Sequence, residues 1–479
     1  MVRLRFVGDK AFLGRVEIPI RSRMNLEDND ISGISGRCPD NVKILSLSDN
    51  RITSLFGEGD RLFDPGNLEE LELDDNLIPS LFDDNGIQFQ TGNIQHFTLD
   101  GNQIPSLFGH NGAQFQTGNL RHLSICSNQI PSLFGENGTQ FQLGKLKVFR
   151  LENNRITSLF SADGSQFLPG KLRSLILSDN QIPSLFNENG EQFHCVRLQD
   201  LYLDGNQITS LFRETGEQFH PGSLLRLSLR NNENISLFNR EGVQFNTFDL
   251  NSLSMGGNQV TSLFNDAGAQ FDTGDLDNLD LAYNQIPSLF NNAGTQFQPG
   301  KLEYLSLISN QIASLFNKSG AQFQPGRLSS LYLGNNQIQS LFNERGHPLL
   351  LGRIHTLDLS LNQISSLFNE NGDQVDMSSL QFLYLVGNRI PSLFNISGEQ
   401  VRTDVKAFIY LDNNLITRLI SEDGKVFEVG ELNELRLSGN PIDLLISDHI
   451  NIEDKYCLEK YLRRLRDHVK SKRAKSAAK

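Results

Sequence analysis

Leucines at 68, 71 and 73, an asparagine at 76, Ile78, then Leu81 and Phe82, and a second phenylalanine at 89 form a pattern of apolar positions that returns every 26 residues along most of the chain. The leading asparagines run from Asn50 and Asn76 to Asn414 and Asn440, sixteen copies without an inserted or deleted residue. An unbroken period of 20 to 50 residues describes a solenoid, in which each unit buries its apolar face only against its neighbours. The length of 479 residues therefore predicts one elongated domain with two caps, not three domains of ordinary size.

Within the unit LEELELDDNLIPSLFDDNGIQFQTGN, Leu71 and Leu73 alternate at period two and share one face, while Glu72 between them points to the other, which predicts a short strand. A glycine stands ten residues after the asparagine in fourteen successive units, Gly86 to Gly424. Such a glycine supplies positive φ for a turn and weakens a helix, so a turn or hairpin-like loop is expected there. Phenylalanine recurs six residues after the asparagine from Phe56 to Phe394, and thirteen after it from Phe63 to Phe323 and at Phe427. These rings are expected to stack as two continuous buried ladders.

The spacing L-x-x-L-x-L-x-x-N-x-I resembles the leucine-rich repeat family, in register over about residues 24 to 450. The resemblance implies an α/β solenoid, a horseshoe with a parallel concave β-sheet, whose Asn side chains bond backbone groups at the following turn. The family's usual convex helix is replaced here by a hairpin-like or irregular side. Residues 1–23, with alternating Val2, Leu4 and Phe6, read as an N-terminal capping hairpin. Residues 24–450 hold about 17 units, 16 of them in strict register. Residues 451–479 read as a helical cap, with Tyr456, Leu458, Tyr461, Leu462 and Leu465 at helical spacing, followed by a basic tail.

Charge divides the chain. Residues 451–479 carry ten Lys or Arg against four Asp or Glu, so the tail is +6 and the remainder, from a total of −13, is −19. An acidic solenoid is not expected to bind nucleic acid along its length, and the tail is suited to contact an acidic partner or surface. No run approaches the roughly 18 apolar residues of a membrane helix, and no signal peptide is read at the N-terminus. Cys38, Cys126, Cys195 and Cys457 are scattered, which predicts a reducing, cytoplasmic setting, with effector-type secretion left open. Asn-x-Ser/Thr tripeptides at Asn137, Asn234, Asn317 and Asn395 read as by-products of a turn-rich sequence.

No phosphate loop, HExxH, Cys/His cluster or nucleophile elbow is present, so neither catalysis nor a cofactor or metal is expected. His96 and His122 occupy equivalent positions in neighbouring units and read as surface residues without a third ligand. The outward strand positions gather aromatics late, at Tyr304, Tyr332, Phe382, Tyr384, Phe408 and Tyr410, while early units present Glu70, Glu72, Asp74 and Asp100. This predicts a non-catalytic scaffold or adaptor whose concave face binds a protein partner with a basic region. The alternatives are a regulatory subunit of an enzyme such as a phosphatase, or a bacterial-type leucine-rich repeat effector acting in a host cell.

Overall fold

The computed structural model describes residues 2–56, 62–233, 235–443 and 455–477. Asn234, residues 451–454 at the start of the expected cap, and the tail end at 478–479 lie outside the described residues. The chain divides into two compact units, Met1–Ile235 with Thr247–Ser254, and Ser236–Asn246 with Met255–Lys479.

In the first unit a parallel sheet is built from three-residue strands paired in sequence order, from Arg23–Asn25 and Ile44–Ser46 through Glu70–Glu72 to Ser252–Ser254. In the second, seven such strands run from Asn278–Asp280 to Glu434–Arg436. Each pairing between 26-residue units joins equivalent residues, as in Leu71↔Phe97 and Leu383↔Ile409. The middle residue of each strand is buried and its two flanks face outward, the period-two alternation expected of a half-buried strand.

The repeating asparagine joins adjacent units. Asn180 Nδ2 donates to the carbonyls of Leu177 and Ser178 in its own unit and of Leu151 in the preceding one, at 2.9–3.2 Å, and its Oδ1 accepts the Ile156 N–H at 2.9 Å. The side chain thus reaches backward as well as locally, whereas the sequence suggested bonding only at the following turn. The residue just before it is held left-handed, at φ 55° in Asp179 and likewise where Tyr283 and Leu361 stand. Asp, Asn, Ser or Gly fills most of these positions, and the bulky exceptions are strained.

Opposite the sheet lies the expected hairpin. Phe186 bridges Gln192 antiparallel, Asn187 N donates to Glu191 O and Gly190 N to Asn187 O at 2.9 Å, and Gly190 has φ 82°. No helix occurs on this side among the described residues. Two further amide ladders link the hairpins. Gln192 Oε1 accepts the His220 N–H at 2.9 Å, one unit on, and Asn187 Nδ2 donates to Gly164 O at 2.9 Å, one unit back. The Gln that precedes most of the second phenylalanines was the signal for the first of these.

The phenylalanines differ from expectation in arrangement. The second of each pair is fully buried, as at Phe193, but the first lies at the edge, only 7–9% exposed at Phe82 and Phe290 and half-buried at Phe186. The rings interlock edge to face between units, Phe134 with Phe167 at 6.4 Å and 86°, and Phe394 with Phe427 at 6.1 Å and 90°. Face-to-face stacking of the second-position rings occurs at Phe63 and Phe89. Edge-to-face contact avoids placing two electron-rich faces in register.

The N-terminal cap recruits more than its own segment. Val2–Val7 and Lys10–Leu13 form the expected hairpin, yet Val2–Val7 also pairs parallel with Ile31–Arg37, which in turn pairs with Phe63–Asp64. The C-terminal helix, α1 (Lys455–Ala477), buries Leu458, Tyr461, Leu462 and Leu465. Tyr456, expected among them, is 75% exposed, because at 100° per residue it lies on the opposite side of the helix.

Replacing Asn180 with Ala removes four hydrogen bonds and leaves buried backbone groups unpaired, at about 1–3 kcal/mol each. Denaturant unfolding should show a loss of about 3–5 kcal/mol, and Phe193→Ala a similar loss, with Phe186→Ala clearly milder. Equal losses at the two phenylalanines would contradict this packing.

Candidate functional site

The six outward aromatics all fall in the second unit, on one sheet face, because odd and even strand positions face opposite ways. Tyr304 and Tyr332 lie 5.1 Å apart with planes at 40°. Phe382 and Phe408 stack at 5.0 Å and 17°, Tyr384 and Tyr410 at 4.7 Å and 4°. Phe382 is also parallel to Tyr384 at 6.4 Å, so four rings form a two-by-two plate across the strands Phe382–Tyr384 and Phe408–Tyr410. All six rings are half-buried. Burial, followed by the neighbouring Tyr410 and Tyr332, raises the Tyr384 hydroxyl above its ordinary pKa.

Sequence reasoning passed over the plate's flanks. Arg436 lies over the outer face of Tyr410 at 5.1 Å and donates Nε to Glu434 at 2.6 Å. Asp358, half-buried, lies between Tyr332 and Tyr384 in the strand register. Both stand at outward positions legible in the sequence, but their relation to ring faces depends on strand pairing.

The acidic residues fall in the first unit, and two of them do structural work. Asp74 accepts the Thr98 hydroxyl at 2.9 Å and the Asp100 N–H at 2.8 Å. Asp100 accepts the Ser124 hydroxyl at 2.7 and 2.9 Å and the Cys126 N–H at 2.6 Å. These two carboxylates tie one unit to the next, a structural duty that the sequence did not indicate. Glu70 and Glu72, on the outward positions of their strand, remain available. Burial raises the Asp74 carboxyl to about 6, and burial with the Glu72 hydrogen bond raises that of Glu70.

His96 and His122 do meet, stacked at 5.7 Å and 10°, and burial, then His96, lowers the His122 pKa. No group of three metal-ligating side chains occurs among the described residues. Cys38, Cys126 and Cys195 are buried, and burial pushes the Cys38 thiol up to about 12 and the other two upward as well, which leaves them poor nucleophiles. In two of the glycosylation-like tripeptides the amide is already engaged, Asn317 with Gly294 O and Asn395 with Gly372 O.

Because the Asp74 pKa is raised on folding, the folded chain holds a proton that the unfolded chain releases between the ordinary carboxylate value and about 6. Its contribution to stability therefore falls as pH rises through that window. Asp74→Asn should reduce the loss of stability between pH 4.5 and 7.5 by about 1 kcal/mol, after allowance for solvent screening. Parallel unfolding curves of the two proteins across that range test this, and an unchanged pH slope would refute the assignment.

No protein-family model matches the sequence, and no curated protein does. Solved structures do match. The Drosophila Toll–Spatzle complex aligns with 83% of this chain and 52% of that chain at 20% identity and a TM-score of 0.51. YopM from Yersinia enterocolitica aligns over 88% and 86% of the two chains at 18% identity and 0.47. A Leptospira interrogans LRR protein aligns over 88% and 91% at 21% identity and 0.45. The chain spans about half the length of the Toll chain and 56% of the ectodomain of the Arabidopsis receptor kinase GASSHO1/SCHENGEN3. At such identities the likeness speaks to fold alone, and that fold is the repeat solenoid with parallel strands already described. The chain has the leucine-rich repeat fold.

Proposed function

We propose that the chain is a non-catalytic scaffold that binds a protein partner on the ring-bearing sheet face of its second unit, with Tyr332, Tyr384 and Tyr410 as anchors. The observation that carries this reading is the plate of four parallel rings at Phe382, Tyr384, Phe408 and Tyr410. Pre-stacked rings lose little side-chain freedom on binding and bury large area, which is why Tyr is frequent at interface hot spots. The core requires none of these rings, since Leu383 and Ile409 between them already fill the buried positions. The receptor RGFR1 is in complex with the peptide RGF2, and LRIM1 with APL1C; those proteins illustrate the kind of partner a leucine-rich repeat takes.

A basic partner suits the negative balance of the solenoid, with Glu70 and Glu72 of the first unit adding to the field that steers it. Four free cysteines suit a cytoplasmic setting, and no helix among the described residues is long and apolar enough to cross a membrane. The outer face of α1 exposes Lys460, Arg463, Arg464, Lys470 and Lys472, a surface suited to an acidic partner.

The test is capture of partners from a lysate by the full chain and by the triple variant Tyr332→Ala, Tyr384→Ala, Tyr410→Ala. Affinity for the recovered partner should fall at least tenfold with little change in melting temperature. Undiminished capture of every partner by the triple variant would sink this reading.

A further inference from the structure

The register Tyr332↔Asp358↔Tyr384 places one carboxylate midway between two tyrosines. Neighbouring strands lie about 4.8 Å apart, so the two rings are separated by roughly 10 Å, which puts a planar cation placed between them within about 6 Å of either ring centroid. Each wall is backed by a further ring, Tyr332 by Tyr304 at 5.1 Å and Tyr384 by Tyr410 at 4.7 Å. The slot is therefore preformed and its walls are braced.

Its floor is anionic and short of a counter-charge. Asp358 Oδ1 accepts the Ser360 N–H at 2.9 Å, and the carboxylate has no ion pair among the described residues. Gly334 lies beside it, where a Cβ would come within 3.0 Å of Asp358 Oδ2, so glycine leaves that oxygen uncrowded.

The other end of the same tyrosine column displays what such a slot takes. There the Arg436 guanidinium covers Tyr410 at 5.1 Å and is neutralised by Glu434. A guanidinium stacks on an aromatic face and pairs with a carboxylate at once, which an ammonium does less well because it has no plane to stack. We propose that the slot between Tyr332 and Tyr384 receives an arginine side chain of the protein partner, its guanidinium between the two rings and its charge on Asp358. This rests on the reading of the ring face as the partner site and names the partner chemistry that the face selects.

The chain has eight Tyr and no Trp, so tyrosine emission reports on the site. The experiment titrates N-acetyl-arginine amide, and its uncharged citrulline counterpart, into the full chain and into Asp358→Asn. Asp358→Ser serves as a second variant, since serine stands at the equivalent position of five other strands, Ser124 and Ser306 among them. The arginine amide should give a saturable change in emission, at least fivefold weaker with citrulline and at least fivefold weaker in whichever variant melts as the parent does. Equal binding of arginine and citrulline amides, no saturable response to either, or binding unchanged in a folded Asp358 variant would overturn the proposal. The two readings separate cleanly: loss of partner by the triple tyrosine variant without Asp358-dependent arginine binding keeps the scaffold and removes the slot. Asp358-dependent arginine binding alongside undiminished capture by that variant does the reverse.

Discussion

Every unit of this solenoid must satisfy the backbone of a chain that reverses direction within a few residues of a strand only three residues long. The buried asparagine does this. Its amide donates to carbonyls on both sides of a unit boundary and accepts an N–H from the preceding unit, as Asn180 does with Leu151, Leu177, Ser178 and Ile156. Buried backbone groups left unpaired are costly. One inserted residue would carry the side chain past the carbonyls it serves, which accounts for sixteen copies held at a period of 26. The strand register follows from the same constraint, since units locked at their asparagines can only pair at equivalent residues.

The hairpin side solves the same problem with other amides. A helix would satisfy its own backbone, but the glycine-bearing turn leaves carbonyls and N–H groups facing the next unit. The ladders at Gln192 and Asn187 meet them. Beneath, the second phenylalanine of each unit fills the core and the first closes its edge, interlocked rather than stacked. Side chains on this surface are thus largely committed to holding neighbouring units together. Of the outward strand positions, Thr98 and Ser124 share that duty through Asp74 and Asp100, but the ring-bearing ones do not, and chemical variety is concentrated there.

On that face, pairing in register multiplies whatever single residues do. Isolated exposed rings need no explanation, whereas Phe382, Tyr384, Phe408 and Tyr410 brace one another into a stacked array with Arg436 closing one end and Asp358 opening the other. The acidic residues of the early units show the contrary case: the same register makes Asp74 and Asp100 hydrogen-bond acceptors for the next unit, so that each charge also serves as a structural tie.

By itself the sequence determined the period, the solenoid, the short parallel strands and the turn at Gly190, because each depends on local spacing or on φ at one residue. It also placed the six rings on a common face, since strand alternation requires no knowledge of neighbours. Tertiary structure alone decided what lies across a unit boundary. The backward reach of Asn180, the edge-to-face meeting of Phe134 with Phe167 and the recruitment of Ile31–Arg37 into the N-terminal sheet all depend on contacts between residues distant in sequence. The same holds for Asp358 between two tyrosines: single-strand alternation turns it outward, but only the packing of three strands puts a ring on either side of it.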